Sequence, residues 1–199
     1  MRVLLNVDGK GKSYFLANRT ETYYSKLKAA YIDIQQNKKS EYLYVGFFTL
    51  CSATLEYSLN YILTNHCLTQ FGLEKCKTYA EGYISLPLKK KLLITANVIS
   101  YGSLTFNEMH PSAKALFEMI TLRNRILHNK EFLTEVNIPV DKFWENDEFE
   151  FSIPLEENHI DTLTKERCLN FGKAIEDFKN YVMTPALTNS IQENEMLSK

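Results

Sequence analysis

The run Leu122-Arg123-Asn124-Arg125-Ile126-Leu127-His128-Asn129 places an imidazole five positions after a guanidinium. Histidine exchanges a proton near neutral pH. Arginine presents a planar fork of donors to anionic oxygens. Together they offer proton transfer beside a fixed cation. On an ideal helix, at about 100° per residue, Arg123 and His128 project about 140° apart. A long side chain, a helix end loosened near Asn129, or a second protomer is needed to bring them together. Thr121, Asn124, Arg125 and His128 share the polar side, whereas Arg123 has Met119, Ile120, Ile126 and Leu127 three or four positions away. A charge in such an apolar stripe needs a partner. An earlier segment provides one. Thr49, Ser52, Glu56 and Asn60 recur at helical spacing among Phe47, Phe48, Leu55, Leu59 and Ile62. Glu56 is therefore the expected partner of Arg123 or Arg125. A buried structural ion pair without chemistry explains the same placement.

Other chemistries find less support. Asn6-Val7-Asp8-Gly9-Lys10-Gly11-Lys12-Ser13 ends like a phosphate-binding loop, but Asn6 stands where the motif needs its first glycine. A hairpin loop is the better reading. The histidines at 66, 110, 128 and 159 have no zinc-ligand spacing, and the closest of Cys51, Cys67, Cys76 and Cys168 are nine apart. We therefore expect no metal or cofactor, and reduced, buried thiols. No Gly-x-Ser-x-Gly elbow is present. Lys plus Arg number 23 against 24 Asp plus Glu, a net charge of −1, which argues against a general polyanion-coating protein. A local basic site remains compatible.

The elements that must position these residues are mostly helical. Of 199 residues, 45% are apolar and 13% aromatic, enough for one domain with a sizeable core. Arg2–Val7 and Ser13–Ala17 read as a β-hairpin. Helices are expected at 21–36, 41–64, 87–99 and 111–128, with a loop and short helix around Gly72, Gly82 and 74–80. Lys89-Lys90-Lys91 opposes the dipole at the start of the third helix. Alternation at 148–153 predicts a half-exposed strand. A last helix over 157–183 should stop at Pro185. The expectation is a mainly α protein, a compact helical bundle with a small β element. One domain spans 1–184, and a polar tail occupies 185–199. Tyr42–Leu63 is apolar but carries Glu56, so it reads as a buried helix rather than a membrane span. The N-terminus does not resemble a secretory signal, which favours a cytoplasmic location.

Arg123-Asn124-x-x-x-His128, at the end of a late helix, resembles the signature of the HEPN superfamily. Ser52–Asn60 is similar to the acidic helix often found there. The resemblance spans about residues 21–183; the hairpin and the 144–154 strand region look like additions. It implies a helical, metal-independent endoribonuclease acting as a toxin, in phage defence or in RNA processing. Its site residues would be Arg123, Asn124 and His128, supported by Glu56, with the site formed across a homodimer. Cleavage by attack of a ribose 2′-OH on its own phosphate would use His128 as acid/base and Arg123 as phosphate clamp. Asn124 would orient His128 or bind a phosphate oxygen. Arg125 and Lys130 would attract the RNA backbone, as would Lys89–Lys91 unless that run is merely a solvated face. Lys130 stands where tyrosine-modified toxins of the superfamily carry their tyrosine. An antitoxin or regulatory protein is a further implied partner. Some members are binding modules without activity, which is the alternative reading.

Overall fold

The computed structural model describes residues 2–7, 13–36, 41–128 and 160–188, with side chains described over 16–36, 42–126 and 160–188. Strands β1 (Arg2–Val7) and β2 (Ser13–Asn18) form an antiparallel hairpin with Arg2 opposite Asn18 and Val7 opposite Ser13. Helices α1 (Thr20–Gln35), α2 (Glu41–Ile84), α3 (Leu88–Ile99), α4 (Ala113–His128) and α5 (Lys165–Phe178) make up the bundle. A short 3-10 turn, Ile160–Thr162, precedes α5. The chain is mainly α. The 148–153 strand and Trp144 lie outside the described residues, as does the end of the chain from 189.

The α2 helix is the axis, packing against α1, α3, α4 and α5. Its Phe47, Phe48, Cys51, Leu55 and Leu59 are buried against Leu27 and Ile34 of α1, Leu92 and Ile99 of α3, Leu116 and Met119 of α4, and Phe171 and Ile175 of α5. Burying one large side chain of this kind contributes about 1.5–3 kcal/mol. Phe48 and Phe171 meet with ring centroids 6.0 Å apart. The hairpin is tied to this axis through Tyr57. Its phenol donates to the Ala17 carbonyl (2.8 Å) and accepts the Arg19 N–H (3.0 Å), while its ring stacks on Tyr23 at 4.6 Å. The Asn18 side chain accepts the Thr20 N–H at 2.9 Å, satisfying one donor at the open start of α1.

Four boundaries differ from expectation. The last helix begins at Lys165 instead of 157, where the Thr164 side chain caps it by accepting the Arg167 N–H. The α2 helix does not end at Thr64. Leu63 and Cys67 on either side are buried, and the hydroxyls of Thr64 and Thr69 fold back onto the carbonyls of Asn60 (2.8 Å) and Asn65 (3.0 Å) within the continuing helix. The break comes at Gly72, whose φ of 66° and ψ of 177° are open to glycine and strained for other residues. Beyond it the chain is helical again through Gly82, and Cys76 and Ala80 pack on Cys67 in a small second cluster. Helix α4 starts at Ala113 rather than Pro111. Its entry is shaped by His110, whose Nδ1 lies 2.8 Å from the Ser112 hydroxyl.

Pro185 does not stop the last helix. The turn Lys179–Met183 widens to π geometry, the Thr184 N–H donates to the Lys179 carbonyl, and residues 184–188 remain helical. Such widening is a way to carry a helix past a residue that lacks an N–H and crowds the preceding turn. Ala186 is buried, so the expected tail begins inside a packed helix. Among the described residues, no helix is long and apolar enough to cross a membrane.

Two stability predictions follow from this packing. A Cβ at Gly172 of α5 would lie 2.7 Å from the Tyr31 ring and 2.9 Å from that of Phe47. Gly172→Ala gains about 1 kcal/mol of helix propensity but overpacks at a cost of about 1–3 kcal/mol; the urea midpoint should fall. Burial pushes the Tyr24 phenol up from 10.0 to about 12, with Glu21 adding to the rise and Ser58 opposing it. A raised folded-state value means that this contribution is complete below pH 10 and is lost as pH climbs through 12. Tyr24→Phe should flatten that loss in denaturation midpoints measured across the same window.

Candidate active site

Three helices converge on one carboxylate. Glu56 projects from α2, Lys91 from α3 and Arg123 from α4. Arg123 Nη2 donates to Glu56 Oε2 at 2.6 Å, a short charge-assisted hydrogen bond. Lys91 Nζ lies 3.9 Å from Glu56 Oε1 and donates to Asn60 Oδ1 at 2.9 Å. Arg123 Nη1 donates to Asn124 Oδ1 at 3.3 Å. The side chains of Arg123 and Glu56 are 19% and 33% exposed, so the pair sits at the rim of the core, whereas that of Lys91 is only 3% exposed.

Of the two expected partners of Glu56, Arg123 and Arg125, the structure pairs it with Arg123. The rest of the polar stripe on α2 divides. Asn60 joins the cluster through Lys91. Thr49 is exposed and bonds back to the Val45 carbonyl at 2.9 Å, while the Ser52 hydroxyl is buried without a hydrogen-bond partner among the described residues.

Lys91 is the residue that sequence reasoning missed. As part of Lys89-Lys90-Lys91 it was expected on a solvated face or against RNA. Instead the run splits. Lys89 pairs with Glu108 at 3.7 Å and lies over the Phe117 ring, Lys90 is exposed, and Lys91 is buried. The signal was present in the helical period: Leu88, Lys91, Leu92, Thr95, Ala96 and Ile99 form the buried stripe of α3. Burial pulls the Lys91 ammonium below the usual lysine range. The Glu56 carboxylate opposes that shift and the Arg123 cation adds to it. Two cations thus share one carboxylate, leaving a net positive charge beneath the exposed edge of Arg123.

The other expected site residues take different places. Asn124 is exposed beside Arg123, and Arg125 is half-buried on the same helix. His128 is the last described residue of α4, but its side chain lies outside the described residues, as does Lys130. His110 bonds Ser112, and His66 packs near Tyr101 with its pKa lowered by burial. Neither belongs to the cluster around Glu56. Ser13 pairs with Val7 in the hairpin instead of opening a helix, which removes the phosphate-loop reading. All four cysteines are free and buried, and burial drives the Cys168 thiol up to about 11. Among the described residues, no group of three or more His, Cys, Asp or Glu side chains could hold a metal ion.

Removing Glu56 leaves two cations facing each other without a counterion. Breaking a fully buried pair costs about 3–5 kcal/mol. Partial exposure of this one reduces the expected loss for Glu56→Ala to about 2–3 kcal/mol, read from urea midpoints. Adding Lys91→Met to that variant should recover part of the loss, because it removes the buried excess charge. An unchanged midpoint for Glu56→Ala would refute the pairing. No protein-family model, curated protein or solved structure matches this chain, so its functional reading rests on these residues.

Proposed function

We propose that the chain is a HEPN-type, metal-independent endoribonuclease. One observation carries the reading: Arg123 is held by Glu56 at 2.6 Å on the helix that also carries His128. A guanidinium held by a carboxylate from a second helix is pre-organised, which is what stabilising a developing phosphate charge requires. In the proposed reaction His128 accepts the proton of a ribose 2′-OH, and the oxygen attacks the adjacent phosphorus. The bond to the 5′-oxygen breaks, that oxygen takes a proton, and a 2′,3′-cyclic phosphate and a 5′-hydroxyl result. Arg123 binds the phosphate oxygens as their charge grows. Asn124 holds the guanidinium edge or a phosphate oxygen, and Arg125 and Lys130 draw in the RNA backbone.

Arg123 and His128 diverge by about 140° on one ideal helix; in this reading, following the superfamily resemblance, they meet in a composite site between two copies of the chain. In this reading the protein acts in the cytoplasm as a toxin or phage-defence effector, restrained by an antitoxin or regulatory partner. The second reading is a non-catalytic RNA-binding or protein-interaction module, in which the buried Lys91 and its partners form a purely structural ion network.

Incubation of total RNA and a labelled single-stranded RNA with the purified chain in EDTA separates the two. Cleavage to cyclic-phosphate ends is expected, with His128→Ala and Arg123→Ala reduced by about 10²–10⁴-fold. Mixing the two inactive variants should restore part of the activity if each site draws Arg123 and His128 from different copies. Cleavage that survives both substitutions would remove this assignment, and RNA binding without cleavage would favour the module.

A further inference from the structure

We propose that Lys91 is a positioning residue for Arg123. Through the electrostatic pull of its ammonium on Glu56 Oε1 across 3.9 Å, it disfavours a two-oxygen grip of the carboxylate on the guanidinium, and so leaves donors of Arg123 for an oxyanion, namely a phosphodiester of an RNA strand. The inference deepens the ribonuclease reading and rests on it for the identity of that oxyanion.

The geometry is specific. A carboxylate and a guanidinium left to themselves commonly pair through two parallel hydrogen bonds. Here Arg123 reaches Glu56 through Nη2 alone, while Glu56 Oε1 is turned to Lys91 Nζ at 3.9 Å. Arg123 Nη1 donates to the exposed Asn124 at 3.3 Å, and Nε has no acceptor among the described residues. Lys91 is itself held in place by Asn60 at 2.9 Å. Its burial fits this role. An ammonium kept 3% exposed at the start of a helix, against the dipole, is costly unless something uses its charge. Around Glu56 the two cations outnumber the one carboxylate, so the rim at Arg123 favours an anion.

The test compares the wild type with Lys91→Met, which preserves length and apolar packing, and Lys91→Gln, which keeps a donor for Asn60 but removes the charge. Lys90→Met removes the same charge from the exposed neighbour. The first readout is the Nε–Hε NMR resonance of Arg123, assigned by its loss in Arg123→Lys. The second is affinity for a 2′-O-methylated RNA oligonucleotide, which cannot undergo 2′-OH attack. Both Lys91 variants should displace the Arg123 resonance and weaken oligonucleotide binding by about 5- to 10-fold, whereas Lys90→Met should leave the resonance in place. An Arg123 resonance unchanged in both folded Lys91 variants overturns the proposal, as does equal displacement by Lys90→Met. If the wild type binds no oligonucleotide, the ribonuclease reading and the phosphodiester fall, while the resonance still decides whether Lys91 sets the pose of Arg123.

Discussion

One carboxylate facing two cations organises the centre of this protein. Glu56 emerges from α2, the helix that packs against the other four, and its partners arrive from α3 and α4. Apolar contacts bring these helices together and fix them by close packing. The 2.6 Å charge-assisted bond adds a directional tie between two named groups. That bond ties α4 to α2 at Arg123, next to Asn124. The charge imbalance also explains why the cluster sits at the rim of the core. Fully enclosed, a surplus cation would be prohibitively costly; at an exposed edge it is a means of attracting an anion.

The same cluster shows what was legible in the sequence. Glu56 and Arg123 each lie at helical spacing among large apolar residues, and two opposite charges in two apolar stripes have few places to go but toward each other. The hairpin was legible from two short apolar runs around Asp8-Gly9, and the helical class from periodicity. Lys91 was hidden because three consecutive lysines invite a reading by adjacency, whereas a helix sorts residues by threes and fours. Adjacent lysines on a helix point in directions about 100° apart, so one of the three could be buried while its neighbours stayed wet.

The misplaced boundaries share a cause of another kind. Thr64, Asn65 and His66 look like a helix end when judged by polarity, and Pro185 looks like one when judged by its missing donor. In both places the backbone finds another arrangement: threonine hydroxyls fold onto carbonyls one turn back, and a widened turn carries the last helix past the proline. These are local solutions that cost little once the flanking turns are packed, so burial on either side decides the outcome. The pairing of Arg123 with Glu56 had no such escape, which is why it could be read in advance and the helix ends could not.

Glu56 and Tyr57 are consecutive residues with separate duties, the first gripping α3 and α4, the second the chain between β2 and α1. Neighbours on a helix diverge by about 100°, so α2 is fastened on two sides at one level. A cylinder held on one side can still roll; held on two, it cannot turn either way without breaking a bond. The rotational setting of α2 is therefore keyed like a shaft. The N-terminal hairpin, though remote in character from the charge cluster, becomes part of the mechanism that keeps Glu56 aimed.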